Sequence, residues 1–435
     1  MKKSISLIAS VAFIGGVLFS CKKDNGSSSD KEERVEVVNL QKKSEKRGVS
    51  YSFQLMEDVD LLAPGTSWFY NWANDISSDL DAATSAKGMK FFPMAWNGNF
   101  SKDKIRAYKQ KHPECEYILA YNEPNLTDQA NMTPQQAATI FPEVKALADE
   151  LNMKIISPAM NYGTLANYHD PIKWLDEFFG LVPISNFDGI AIHCYMSTPS
   201  ALKSYVQMFR KYGKPIWMTE FCAWENNIQN VGQQMKYMND VLNYMEADPG
   251  ILRYAWFIPR TGGNVDSYPF MQLLTKSKPY ELTDLGKVYL NMSTFDKTTY
   301  YGKGVAFPAA HYVALHSTAS ASQDGWSSSV YVRPTTDVSG ILEVYQFASD
   351  QWMEYQIDVP ADGNYKFDLR RASYRDVSLA ISVNGEVLKT WDLSNTGEDN
   401  IWATSETDLS LKKGKQTLRI GVVKGNTCIN WLRFR

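Results

Sequence analysis

A chain of 435 residues has room for two or three domains, and 44% hydrophobic against 21% charged residues exclude wholesale disorder. Lys and Arg total 45 against 48 Asp and Glu, a net charge of −3, so no basic excess exists to neutralise a phosphate backbone and nucleic acid is not an expected partner. Five Cys exclude a disulfide framework and five His a many-histidine metal site, whereas 12 Trp, 24 Tyr and 20 Phe suit a protein that stacks rings on sugar faces.

Lys2 and Lys3 precede an apolar run, residues 5–19. That is short for a membrane span of ~20 residues and suited to a secretory signal. The run stops at Leu18-Phe19-Ser20-Cys21, which resembles a bacterial lipobox. Residues 1–20 therefore read as a lipoprotein signal peptide and Cys21 as the lipidation site. The implied partner is a membrane, reached through a lipid anchor; the implied location is a bacterial outer membrane, its surface or periplasmic face left open. Residues 21–46 are mostly Lys, Asp, Glu, Ser and Gly, and read as a flexible tether. Cys115, Cys194, Cys222 and Cys428 remain, paired or free.

From Gly48 onward short apolar runs alternate with helical stretches. Strands are expected at 48–53, 66–72, 89–96, 116–122, 154–160, 188–195, 215–221 and 253–259, near-continuous apolar runs of the kind buried on both faces of a parallel sheet. Thr133-Pro134-Gln135-Gln136 carries a cap, a first-turn Pro and a capping-box Gln. Asp170-Pro171 and Thr198-Pro199 repeat the cap-plus-proline signal, and Gly213 ends the latter helix. Eight units at about 31 residues each match the pitch of a (β/α)₈ TIM barrel of ~250 residues. No Gly-rich phosphate fingerprint follows the first strand, which disfavours a doubly wound sheet. The expected fold class is α/β, a TIM barrel at 47–297 followed by a β-sandwich at 298–435.

In such barrels chemistry sits at the C-terminal strand ends. The fourth strand ends in Tyr121-Asn122-Glu123-Pro124-Asn125 and the seventh in Thr219-Glu220-Phe221. Two carboxylates at a cleft are what glycosidic hydrolysis needs. His193 and Tyr195 share one side of the sixth strand. Trp72, Trp96 and Trp256 lie at or near strand ends and are candidate sugar platforms; Asn71, Asn97 and Asn125 are candidate hydroxyl binders. Glu225 is a rival carboxylate just past the seventh strand.

Asn122-Glu123-Pro124 and Glu220 resemble the clan A retaining glycoside hydrolases. The wider set resembles glycoside hydrolase family 128, a barrel family of β-1,3-glucanases: Trp68 to Trp72, Phe92 to Trp96, Asn122 to Asn125, Ser157-Pro158-Ala159, Ile192 to Tyr195, Trp217 to Phe221 and Tyr254 to Phe257. The resemblance implies Glu123 as acid/base, its pKa raised by burial or a neighbouring carboxylate, and Glu220 as nucleophile. Asn122 is expected on the sugar 2-OH, the resemblance adds to strand alternation in setting His193 and Tyr195 in the cleft, and position and ring chemistry make Asn71, Trp72, Trp96, Asn125 and Trp256 expected substrate-lining residues. The expected activity is endo-type, retaining hydrolysis of a laminarin-like β-1,3-glucan by a monomer without metal or cofactor. Two rivals remain: a surface glycan-binding lipoprotein with a dead barrel, and the same chemistry on another β-glucan or mannan.

From about Tyr300 helical periods stop, and turn signals such as Asp362-Gly363, Asn384-Gly385 and Lys413-Gly414 punctuate short alternating strands. Gln351 to Pro360, Gly363-Asn364-Tyr365, Val383-Asn384-Gly385, Leu409-Ser410-Leu411 and Asn426 to Phe434 resemble a family 6-like carbohydrate-binding module. Phe307-Pro308-Ala309-Ala310-His311-Tyr312 stands where such modules carry calcium-binding acids, so no calcium is expected. Glu398, Asp399 and Asn400 stand where a stacking Trp belongs, and Trp402 reads as a core residue. The barrel, with its own core, is expected to tolerate loss of this region.

Overall fold

The computed structural model describes residues 34–225, 227–316 and 330–435. The signal peptide and Cys21 lie outside them. Eight parallel strands appear in the expected order, with shorter ladders: β1 (Arg47–Ser50), β2 (Trp68–Tyr70), β3 (Lys90–Phe91), β4 (Tyr117–Leu119), β5 (Lys154–Ile156), β6 (Ile190–Cys194), β7 (Ile216–Phe221) and β8 (Ile251–Trp256). Hydrogen bonding runs β3-β2-β1-β8-β7-β6 and β4-β5. Parallel bridges Met94–Leu119, Ile156–Gly189 and Met160–Ile192 join the two seams and complete the ring.

Aromatic side chains fill the barrel below its mouth. The Trp217 ring lies 4.7 Å from Tyr117 and 5.6 Å from both Trp68 and Phe92. Rings this large leave no room for a Cβ beside them. A Cβ on Gly48 would meet Trp68 at 2.5 Å, and one on Gly189 would meet Trp217 at 2.8 Å. The filled interior makes a rigid floor under the strand ends.

The helix caps fold as their sequences predict. Thr133 and Gln136 form the reciprocal capping box of the helix Pro134–Glu150. Asp170 and Thr198 cap Pro171–Leu181 and Pro199–Phe209, and Gly213 takes the left-handed conformation, φ 64°, after Arg210–Tyr212.

The C-terminal region is a β-sandwich. One sheet orders the strands Tyr331–Pro334, Leu342–Ala348, Asn426–Phe434, Gly363–Ala372 and Ala403–Leu411, with Phe307–Pro308 on Asn426–Phe434. The other orders Ala314–His316, Trp352–Val359, Gly414–Lys424, Val377–Val383 and Glu386–Leu393, with Tyr301–Gly302 on Trp352–Val359. Asn384 and Gly385, with φ 50° and 88°, make the tight turn between Val377–Val383 and Glu386–Leu393.

Barrel and sandwich are welded through the helix Val231–Ala247, which buries residues around its whole circumference. Its Asn239 side chain accepts from Val332 N at 2.8 Å and donates to Val332 O at 2.9 Å, so a barrel amide completes the edge strand Tyr331–Pro334. Tyr312 Oη donates to Asn243 at 2.8 Å, and His311 Nε2 lies 3.0 Å from Asn291 O. Phe307 and Ala309 to Tyr312, at the position where family 6-like modules carry calcium-binding acids, are buried packing at the junction.

Residues 35–46, assigned to the tether by composition, lie along this junction instead. Val38 N donates to Ala306 O, Gln41 Nε2 to His311 O, and Val35 N to Ser339 Oγ. Lys46 Nζ donates to the carbonyls of Met245, Glu246 and Asp248, where the dipole of the helix Val231–Ala247 favours a cation. Among the described residues no helix is long and apolar enough to cross a membrane.

Candidate active site

β4 and β7 deliver Glu123 and Glu220 to the same end of the barrel, both nearly buried. Glu123 adopts φ 44°, in the left-handed region, as the chain turns out of β4. Between the two carboxylates stands His193, from β6. Its Nδ1 is 2.9 Å from Glu123 Oε1 and 3.4 Å from Glu220 Oε2, and its side chain is fully buried. One donor atom from each of the three lies within 4.8 Å of the others. A cation would tolerate that spacing, but an imidazole nitrogen at hydrogen-bond distance from carboxylate oxygens is the arrangement of a shared proton.

Glu220 is held from several sides. Tyr70 Oη and Trp72 Nε1 each donate to its Oε1 at 2.7 Å, and Tyr195 Oη donates to Oε2. Burial, then the Glu220 charge, push both phenols well above their ordinary pKa, so they stay donors. Glu123 accepts from Asn161 Nδ2 at 3.2 Å as well as from His193. Burial pushes the Glu123 carboxyl up, but the His193 charge and the His193 and Asn161 hydrogen bonds outweigh it, and its pKa lies below the ordinary value. Burial pulls His193 down, but Glu220 and Glu123 outweigh it and leave the imidazole above its ordinary value. Where the sequence led to an expectation of a raised acid, the structure sets a cation-forming group between the carboxylates, which favours the ionised form of Glu123.

The family model of the glycosyl hydrolase catalytic core matches residues 48–289, which include both carboxylates. The chain belongs to that family. The carbohydrate binding module family 6 model matches residues 320–435. Among solved structures, the family 128 subgroup II endo-β-1,3-glucanase from Pseudomonas viridiflava is 35% identical with a TM-score of 0.53, covering 57% of this chain and 98% of that one. The subgroup II enzyme from Sorangium cellulosum is 31% identical with a TM-score of 0.51 over the same shares. Alkali-sensitive linkage protein 1 of Schizosaccharomyces pombe is 24% identical over 259 residues, 57% of this chain and 45% of that protein. The clotting factor G alpha subunit of Tachypleus tridentatus is 33% identical over 112 residues, 25% of this chain and 17% of that protein. The chain therefore spans less than half the length of either curated relative.

Around this glycosyl hydrolase site the structure sorts the sequence candidates. His193 touches both glutamates and is too buried to line the substrate. Tyr195 and Trp72 are half-buried donors to Glu220. Asn122 is buried beside Glu123; its Nδ2 is bound to Gln129, and its Oδ1 has no hydrogen-bond partner among the described residues. Trp96 is half-buried next to the site, its carbonyl accepting from Asn122 N.

Other candidates are brought elsewhere. Trp256 is fully buried, its Nε1 on Met271 O and its ring against Phe221 and Tyr289, so it is core and not a sugar platform. Asn125 is buried with Nδ2 on the carbonyls of Asn161 and Tyr168, and therefore clamps two loops. Asn71 and Asn97 close local turns through Ala73 N and Asn99 N. Glu225 accepts from the Ser197 backbone and hydroxyl, tying two rim loops. Cys115, Cys194, Cys222 and Cys428 are free and buried.

Tyr70, Asn161, Phe257 and Trp224 were not singled out from sequence. Tyr70 precedes Trp72 by two positions, so strand alternation was an available signal. Trp224 carried none.

Proposed function

We propose that this glycoside hydrolase is an endo-acting β-1,3-glucanase that works by double displacement, with Glu220 as nucleophile and Glu123 as acid/base. The observation that carries the reading is the close approach of the carboxylates, one oxygen of each lying within 4.8 Å of the other. Oxygens this near belong with the ~5–5.5 Å carboxyl separation of retaining enzymes and not with the ~6.5–9.5 Å that admits the water of inversion. Glu220 attacks the anomeric carbon as Glu123 protonates the departing glycosidic oxygen. The resulting ester is cleaved by water, whose proton returns to Glu123. Tyr70, Trp72 and Tyr195 orient the Glu220 carboxylate for attack and stabilise it as it leaves in the second step. Asn122 Oδ1 is the acceptor for the sugar 2-OH. The linkage and the endo mode follow the two subgroup II enzymes, which are β-1,3-glucanases of endo type.

The test is the first product formed from laminarin, followed by proton NMR, alongside β-1,4- and β-1,6-linked polymers. The β-anomer should appear first. Glu220→Ala should abolish glycosyl-enzyme formation, with azide yielding the inverted azide. Glu123→Ala should lose about 10²–10⁴-fold on poor leaving groups, with azide rescue giving retention. An α-anomer first would overturn the mechanism, and release from non-1,3 polymers alone would overturn the linkage.

The reading extends to a lipid-anchored enzyme at the bacterial outer membrane, with Cys21 as the acylated residue. Cys21→Ala should prevent palmitate labelling and membrane recovery while the specific activity of the folded protein is unchanged. A palmitate-labelled Cys21→Ala protein in the membrane fraction would disprove the anchor.

A further inference from the structure

We propose that His193 is the positioning residue that couples the charge of Glu220 to the protonation of Glu123, and so sets the pH range of the enzyme. The inference rests on the acid/base reading above. Its geometric basis is the single imidazole nitrogen within reach of both carboxylates, 2.9 Å from Glu123 Oε1 and 3.4 Å from Glu220 Oε2. Among the described residues no Lys or Arg pairs with either glutamate, so His193 is the one group there able to offset their charges. Among the described residues the other groups facing the trio are uncharged: the Tyr195 and Tyr70 phenols and the Trp72 indole on Glu220, the Asn161 amide on Glu123, the buried Tyr205 phenol near Glu123, and the Cys222 thiol near Glu220, raised by burial.

Two carboxylates this close repel, and a positive charge between them lowers the cost of ionising both. A cationic His193 provides it and turns its Nδ1–H onto Glu123. An acid must carry its proton to serve a leaving group. The same contact therefore makes Glu123 give up that proton at lower pH, and the basic limb of the rate profile falls early. The imidazolium in turn depends on the Glu220 charge, so the state of the nucleophile is felt at the acid through one ring.

His193→Asn retains an N–H near the Nδ1 position and removes the charge. The basic limb of kcat/KM on laminari-oligosaccharides should move up by about one to three pH units, the usual effect of removing an opposite charge within ~4–6 Å. Peak kcat should stay within about tenfold, because the carboxyl is still held. His193→Ala, which loses both features, should show the same pH shift with a further fall in kcat. Calorimetric oligosaccharide binding and the melting temperature check that each variant is folded. A folded His193→Asn with an unmoved or acid-shifted basic limb overturns the proposal.

A second measurement needs no change at His193. With ¹⁵N-labelled imidazole, the His193 titration midpoint should fall when Glu220→Gln removes the neighbouring charge. An unchanged midpoint overturns the coupling. Glu123→Gln separates the two ideas. Full activity of that variant on poor leaving groups would sink the acid/base role itself, whereas an acid/base phenotype with no His193 effect would sink only the coupling.

Discussion

The barrel mouth and the barrel–sandwich junction both bury polar side chains, and they satisfy them in opposite ways. At the mouth, Glu123, His193 and Glu220 lean on one another, so the charge of each depends on the others. At the junction, Asn239 meets the backbone of Val332, and Asn243 meets the phenol of Tyr312. Neither amide has an alternative protonation state or a reason to exchange partners; His311 is the group there that can titrate. Burial among titratable neighbours prepares chemistry, and burial among amides fixes two domains as one body.

Removing the sandwich should break that comparison most severely. A chain ending near residue 300 strips the cover from Asn239, Asp240 and Asn243, all nearly buried now. It also removes Tyr312 and the edge strand that Asn239 completes. We expect loss of cooperative unfolding, followed by circular dichroism, where sequence alone led us to expect a free-standing barrel. A truncated barrel that melts sharply and hydrolyses short oligosaccharides normally would show the weld to be dispensable. Asn239→Leu is the milder version. It leaves Val332 N–H and C=O without their partner, at about 1–3 kcal/mol for each buried group. Urea unfolding should report that loss, while kcat of the folded variant stays at the wild-type value.

The meeting of two carboxylates at the barrel mouth was legible because barrel strands repeat at a steady pitch, and Glu220 follows Glu123 by 97 positions, about three units of it. The parity of a side chain at a strand end was not. Trp256 lies at the end of β8 like a mouth residue, yet its indole turns outward to Tyr289 and Met271. Asn125 follows Glu123 by two positions and is consumed by backbone carbonyls of a neighbouring loop, contacts that exist only after folding. Residues 35–46 misled for a related reason. Their polar composition is that of a tether, but Gln41 and Lys46 dock through amide and carbonyl hydrogen bonds that hydropathy does not register.

His311 allows the junction to be probed by pH. Burial, partly opposed by the Asn291 carbonyl, pulls its pKa down to about 4 from an ordinary 6.5. As pH falls through that window the unfolded chain binds a proton that the folded chain refuses, so stability declines from about 6.5 to about 4. The decline attributable to this residue is at most about 3 kcal/mol. His311→Gln should flatten the difference in unfolding free energy between pH 7 and pH 4.5, with no change in the pH profile of catalysis. Equal slopes in both proteins would remove His311 from the account. A shifted catalytic profile would mean that junction and mouth are not separate.

The smallest expected effect compares two half-exposed tryptophans, one in each region. Trp224 is 39% exposed beside the site. Its ring lies 5.8 Å from Tyr195, which donates to Glu220, and 5.9 Å from Phe257, which in turn is 5.9 Å from Trp72. Trp72, Phe257, Tyr195 and Trp224 thus form a run of aromatic surface leading from Glu220 towards solvent. Trp402 is partly exposed on the sandwich, its Nε1 donating to Thr336 Oγ1, and is not the core residue its sequence led us to expect. Taking the scale of an aromatic ring pair, about 0.5–1.5 kcal/mol, an indole stacked on a sugar face changes affinity roughly twofold to tenfold. Trp224→Ala should therefore raise KM for laminari-oligosaccharides by that factor and leave kcat unchanged, because the ring touches neither carboxylate. Trp402→Ala should leave soluble kinetics alone and reduce retention on insoluble β-1,3-glucan, where a second contact raises the local concentration of substrate. If Trp224→Ala lowered kcat with KM constant, the ring would be supporting Tyr195 instead of sugar. If Trp402→Ala left pull-down on insoluble glucan intact, the sandwich would be a structural partner of the barrel and nothing more.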